Sequence, residues 1–289
     1  VVWKQDIPGR GWSSPVVWGK HVFITTVVTE GKAWVARKGL YFGGERKSPP
    51  TGKHHWKVIC LSLETGKIVW EKTAHSGMPQ SSIHIKNSYA SETPVTDGEL
   101  LFAFFGSHGL YCLNMDGALQ WKSDLGAMRT KHGHGEGSSP VLHANSLVVN
   151  WDHEGQSFVL ALDKRTGKQL WKVARDEVTS WATPIVTEHA GRAQLIISGT
   201  DRIRGFDLST GSLIWECGGL SANIVATPVA ADGMVYAGSS YDTRAMLAIR
   251  LDGARGDLTG TDRVAWTRSR GTPYVPSPLL YGESLYFLR

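Results

Sequence analysis

The chain has 289 residues, 41% hydrophobic and 20% charged, an ordinary globular composition that excludes a disordered or collagen-like polymer. No apolar run reaches the roughly 18 residues of a membrane helix, so no transmembrane segment is expected. The formal charge of +5 comes from scattered Lys and Arg, which argues against nucleic-acid binding, and Cys60, Cys112 and Cys217 show no metal spacing and no adjacent pair.

In chain order, residues 1–5 hold a strand-like stretch ending near Trp3 with no partner strands before it. A first unit, 12–72, starts at Ser14-Pro15 and runs through VFITTVV and KVICLSL, interrupted between them by an insertion at 29–55. That is far longer than the common connection of about two to six residues and reads as a lid, a docking hairpin or a solvated excursion. Further units follow at 91–122, 138–173, 182–216 and 226–267, and a partial one at 276–289. The third shows four strands, SPVLHA, SLVVNW, FVLALD and KQLWKV, rich in β-branched and aromatic residues and bounded by turn residues. No segment reads as a helix.

Two markers interleave along this series. Trp3, Trp70, Trp121, Trp171, Trp215 and Trp266 each close a last strand, commonly after a turn such as ETGKIVW or RTGKQLW. Ser or Thr before Pro opens the first strand at Pro15, Pro94, Pro140, Pro184, Pro228 and Pro278, and the spacings from Pro94 onward are 46, 44, 44 and 50. A period of about 40 to 50 residues with four strands predicts an all-β propeller of four-stranded blades, one domain over 1–289. The tryptophans are expected to pack blade edges, and the Ser and Thr hydroxyls before proline to bond backbone.

The pattern SP[VI], an apolar strand, LxLDxxTG and then xxW resembles the PQQ-like β-propeller repeat. Quinone dehydrogenases and the outer-membrane-assembly lipoprotein propeller share that repeat, and YASETPVTDGELLFAFFGSHGLYCLNMDG is similar to secreted bacterial proteins of the same kind. The resemblance implies a ring of about seven or eight blades, of which about five and a half are present, with 1–5 completing the last blade. It also implies a periplasmic or secreted location.

Call the strands of a blade A to D, with A after the Ser-Pro or Thr-Pro step. The A–B and C–D connections are then tight turns such as Asp97-Gly98, Asp232-Gly233 and the Thr-Gly pairs. The D–A and B–C connections are longer and polar, and they hold nearly every residue able to act on a ligand. Candidates for this face are His84, His108, Glu136, Asn150, Trp151, Asp152, His153, Trp181, Arg202, Asn223, Tyr241, Asp242, Arg244 and Tyr274.

RTKHGHGEGSSP, at 129–140, is the sharpest local pattern. If extended, it places His132, His134 and Glu136 on one side, two imidazoles and a carboxylate as in a catalytic zinc or non-haem iron site, with His153 or Asp152 to complete it. The competing reading is a polar loop in water. The resemblance further implies PQQ held between a Trp and a disulfide of adjacent cysteines, with Ca²⁺ beside it. Trp181, Glu136, Asn150 and Asp152 match part of that set, but no adjacent cysteines exist. The leading expectation is a monomeric binding or scaffold protein with a protein or small-molecule ligand on the D–A and B–C face. The alternative is a PQQ- or metal-dependent oxidoreductase using the same face.

Overall fold

A computed structural model describes residues 1–31 and 51–288. Most of the 29–55 insertion lies outside the described residues. Contacts divide the chain into two compact units, one of 1–146 with 163–168 and one of 147–162 with 169–289.

The strands follow the sequence order. β1 (Val16–Trp18), β2 (His21–Thr29), β3 (His54–Ser62) and β4 (Ile68–Gly77) form one sheet in that order, and β5 (Val95–Thr96), β6 (Leu100–Phe104), β7 (Leu110–Asn114) and β8 (Leu119–Ser123) form the next. β9 (Val141–His143), β10 (Ser146–Trp151), β11 (Ser157–Asp163) and β12 (Gln169–Arg175) give the third, and β13 (Ile185–His189), β14 (Arg192–Ser198), β15 (Arg202–Asp207) and β16 (Leu213–Gly218) the fourth. β17 (Val229–Ala231), β18 (Met234–Ser239), β19 (Ala245–Arg250) and β21 (Val264–Arg268) make the fifth, with β20 (Gly256–Asp257) between the last two in sequence. β22 (Leu279–Tyr281) and β23 (Ser284–Tyr286) pair as a hairpin. Successive meanders of four antiparallel strands are the blades of a β-propeller.

The B and C strands of the first five blades are largely buried on both faces, which is why they read as near-continuous apolar runs. In the first unit Phe23, Trp56, Val58, Cys60, Leu101 and Ala103 share one cluster. In the second, Ile196, Ile203, Trp215, Val235, Leu247 and Ile249 share another. Burying each such side chain stabilises by about 1.5–3 kcal/mol.

Both sequence markers have a defined job. The indole Nε1 of Trp3 donates to Leu63 O at 2.8 Å, Trp70 to Met115 O at 2.9 Å, Trp121 to Lys164 O at 2.9 Å and Trp171 to Leu208 O at 2.9 Å. Each ring covers the glycine of a C–D turn: a Cβ on Gly66, Gly117, Gly167 or Gly211 would lie 2.4–2.9 Å from ring atoms of the matching Trp, and all four glycines have positive φ. Those turns therefore need glycine twice, for backbone and for space. The hydroxyls before proline accept from the preceding blade's backbone: Ser14 N–H donates to Thr93 Oγ1 at 3.0 Å, Thr93 N–H to Ser139 Oγ at 2.9 Å and Thr227 N–H to Ser277 Oγ at 3.0 Å.

Three expectations need correction. Residues 1–5 form no strand, although Trp3 docks like its counterparts. Trp215 turns inward and donates to Gln194 Oε1 at 2.9 Å, fully buried. The C–D connection of blade five is no tight turn but thirteen residues, 251–263, and its β20 pairs parallel to β16 as a fifth strand of the fourth sheet.

Candidate functional site

In the first unit, two D–A loops and a B–C loop meet around Glu136. The loop at 129–140 is not extended: Lys131–Gly133 form a tight turn and His132 sits at φ 57°. Flanking glycines permit this bend, and it defeats the alternation on which the metal triad rested. Glu136 turns inward, where it accepts from Ser107 N–H at 2.9 Å and from the Ser107 hydroxyl. His134 instead packs edge-on against His84 with ring centroids 4.7 Å apart, and its carbonyl accepts from Asn87 Nδ2 at 2.9 Å. Among the described residues, no three His, Cys, Asp or Glu side chains stand close enough to hold one metal ion, and His132, His134 and Glu136 are not brought together.

Glu136 shares a small cavity with Glu92, a residue the sequence reading missed. The cavity holds about one water, and its lining includes Tyr89 and His108. Both carboxyls are pushed up by burial, Glu92 additionally by the charge of Glu136, so the pair retains a proton at neutral pH. His108 stacks on Trp56 with centroids 3.8 Å apart and lies 5.1 Å from the ring of His75. Burial, helped by His75 and His54, lowers its pKa to about 4. Its Nδ1 has no hydrogen-bond partner among the described residues. Glu92 could have been noticed as the acid directly before Thr93-Pro94, but nothing in ASETP marks it as buried.

In the second unit the candidates fall into two groups. Asp152 is fully buried and accepts from Arg175 Nε at 2.8 Å and Nη2 at 3.2 Å, Ser180 Oγ at 2.7 Å and Asn150 Nδ2 at 3.0 Å. Arg204 pairs with Glu177, with Asp176 at 2.7 Å and with Glu216 at 3.2 Å, and Arg202 adds a 3.0 Å bond to Glu216. Burial pushes Glu177 up despite Arg175 and Arg204 beside it. Trp151 is core, stacked on Phe158 with centroids 5.7 Å apart, and His153 turns back on its own hairpin, with Nε2 3.2 Å from Gln156 O. Trp181 is held through its backbone to Ile224 O at 2.8 Å, and Asn223 is buried at φ 53°. Arg175 and Arg204 look in sequence like ordinary strand charges and Glu177 like an ordinary loop charge, and all three were missed.

The second group is exposed. Tyr241 is 50% accessible, its ring 6.0 Å from Tyr274, and Arg244 lies open nearby in sequence. Asp242 fixes this loop by accepting from Ala222 N–H at 3.2 Å and Thr243 N–H at 2.8 Å, bonds that lower its pKa. Ser240 Oγ donates to Thr272 O at 2.8 Å.

The residues named for a calcium-bound quinone do not fit one. Asp152 already carries a guanidinium on both oxygens, where a second cation would be repelled. Glu136 is engaged by the Ser107 N–H and hydroxyl. The cysteines are separate, buried thiols that burial pushes up to about 11, 12 and 11.

Blades whose Trp covers the next C–D glycine, with Ser/Thr-Pro hydroxyls bonding between inner strands, define a β-propeller of PQQ-like repeats. The model of one such family, outer membrane protein assembly factor BamB, matches residues 54–288, and the chain belongs to that family. No curated protein matches it. Among solved structures, BamB from Moraxella catarrhalis is 18% identical, with a TM-score of 0.51 over 81% of this chain and 63% of that one. Quinohemoprotein alcohol dehydrogenase ADHIIG from Pseudomonas putida HK5 is 12% identical, with a TM-score of 0.54 over 93% and 43%. A europium-containing methanol dehydrogenase is 11% identical, with 0.51 over 89% and 50%. The chain thus spans less than two thirds of each, and these likenesses show the fold alone. Among the described residues no helix is long and apolar enough to cross a membrane.

Proposed function

We propose that this chain is a binding module, monomeric and placed in the periplasm or outside the cell, that holds a protein partner on its D–A and B–C loops. The observation carrying this reading is the exposed Tyr241 beside Tyr274, with exposed Arg244 three residues on, on loops pinned by Asp242 and Ser240. Aromatic and arginine side chains on rigidly held loops are the composition of interface hot spots. The family description, an assembly factor, supports a protein partner. The buried carboxylates favour the same role, because Asp152 and Glu136 orient loops and leave no oxygen free for a ligand.

A photo-crosslinking amino acid at position 241 tests this in the cell envelope. The expected result is a discrete adduct that Arg244→Glu and Tyr274→Ala abolish. The same adduct from exposed position 213, or none from 241, overturns the reading. Oxidation of a dye-linked substrate after adding PQQ with Ca²⁺ would favour the oxidoreductase instead.

A further inference from the structure

Blade five departs from its neighbours at the connection 251–263. β20 lies along β16, with Trp215 opposite Gly256, and Gly218 N–H donates to Thr259 Oγ1 at 2.8 Å. This connection helps enclose an open groove of about 370 Å³, within the size range of small-molecule sites. Met246 and Leu247 give it apolar lining, Gly218 and Thr259 polar lining, and Arg244 and Arg268 positive charge. A fourth feature keeps it open: Gly219 has φ 109°, a conformation side chains rarely adopt.

Arg268 pairs with Met246, Arg244 lies two residues before Met246 just ahead of the strand, and both line the groove. Neither has an acidic partner among the described residues. Arg268 engages a backbone carbonyl, its Nε donating to Arg270 O at 2.6 Å. Like charges lining one groove repel, and a bound oxyanion relieves that repulsion while matching the guanidinium forks.

We infer that this groove binds a carboxylate carried on an apolar body, the carboxylate on Arg244 and Arg268 and the apolar part against Met246 and Leu247. This narrows the binding role proposed above to one ligand chemistry. The acid can come from a free small molecule or from the C-terminus of a polypeptide.

Calorimetric titration of the whole chain tests it with three probes: N-acetyl-Leu-Phe with a free carboxylate, the same dipeptide as its C-terminal amide, and 4-phenylbutyrate. At least one acid should bind. The amide should bind about tenfold more weakly or not at all, and Arg244→Gln or Arg268→Gln should each weaken the acid by about tenfold. Thr267→Trp, which fills the groove from an exposed lining position, should abolish binding. Preference for the dipeptide acid assigns a chain terminus, and preference for phenylbutyrate a free metabolite. Equal binding of acid and amide, unaltered binding by the Arg244→Gln/Arg268→Gln protein, or no binding of either acid at 10-millimolar order overturns the inference. Crosslinking from position 241 reports separately, so acid binding without an adduct removes the protein partner and leaves the groove standing.

Discussion

Replacing Arg175 by Met should destabilise the second unit severely, and the size of the loss should depend on pH. The Arg175 and Asp152 side chains are 1% and 0% exposed, and the guanidinium contacts both carboxylate oxygens at 2.8 and 3.2 Å. Without it, Asp152 retains only Ser180 at 2.7 Å and Asn150 at 3.0 Å, both neutral. Breaking one side of a buried ion pair costs about 3–5 kcal/mol, a large share of the roughly 5–15 kcal/mol that holds a domain folded. Glu177 keeps Arg204 and should add little. A buried carboxylate stripped of its counter-charge favours the neutral form, because desolvation penalises only the charged one. A raised carboxyl pKa contributes stability at low pH that is lost as pH rises, so the deficit should be largest above neutrality and shrink towards pH 5. Urea unfolding at pH 8, 7, 6 and 5 measures it, with Asp152→Asn added to the variant as the control that removes the stranded charge. A deficit below about 1 kcal/mol at pH 7, a deficit independent of pH, or a double variant no better than the single one refutes the reasoning.

Gly167→Ala should lower the melting temperature, because the turn holds φ at +68° and the new Cβ would lie 2.8 Å from the Trp121 ring. The left-handed backbone alone costs about 1–2 kcal/mol, while exposed Lys168→Ala should be near neutral. His108, with its ordinary value of 6.5 lowered to about 4, contributes stability that is whole above pH 6.5 and lost as pH falls through 4. His108→Phe should therefore flatten the acid limb of a pH–stability curve, by at most about 3 kcal/mol. Glu92 and Glu136 run the other way: their raised values give stability that is present in acid and lost as pH climbs above the ordinary glutamate range, so Glu92→Gln should reduce the loss on the alkaline side. Cys60, Cys112 and Cys217 should resist a thiol reagent at pH 8 in the native protein and react fully in urea, as burial and raised pKa values require.

The blades were readable because their punctuation has few physical alternatives. A C–D turn that needs positive φ and must also receive an indole accepts glycine almost alone, and the indole must come from the strand that ends beside it. Each Thr-Gly and Trp pair was thus a long-range contact written locally. RTKHGHGEGSSP misled for the opposite reason: Gly133, Gly135 and Gly137 between and after the histidines leave the backbone undetermined, and the chain resolves it with a turn rather than an extended run. Arg175 was invisible because the last residue of an outer strand is commonly a solvated charge, and only its alignment with Asp152 on a neighbouring loop makes it a core ion. The blade-five groove left one trace, the spacing of 50 between Pro228 and Pro278 where its two predecessors are 44. Length alone could not say that the extra residues lie parallel to β16.

Buried charge is handled differently in the two units, and the difference bears on what the loops can do. In the first, Glu92 and Glu136 retain a proton between them, and Ser107 supplies direction without charge. In the second, Asp152, Glu177 and Glu216 are compensated by Arg175 and Arg204. Asp152, Glu177 and Glu136 could each take up a proton from a ligand only at the expense of bonds that orient their loops. A group that must move a proton needs a partner it can exchange; a group that must hold a loop needs one it keeps. Both sets of buried carboxyls meet the second requirement. The side chains without such commitments are the exposed tyrosine and arginines of blade five, where contact with another molecule demands no rearrangement of the scaffold beneath.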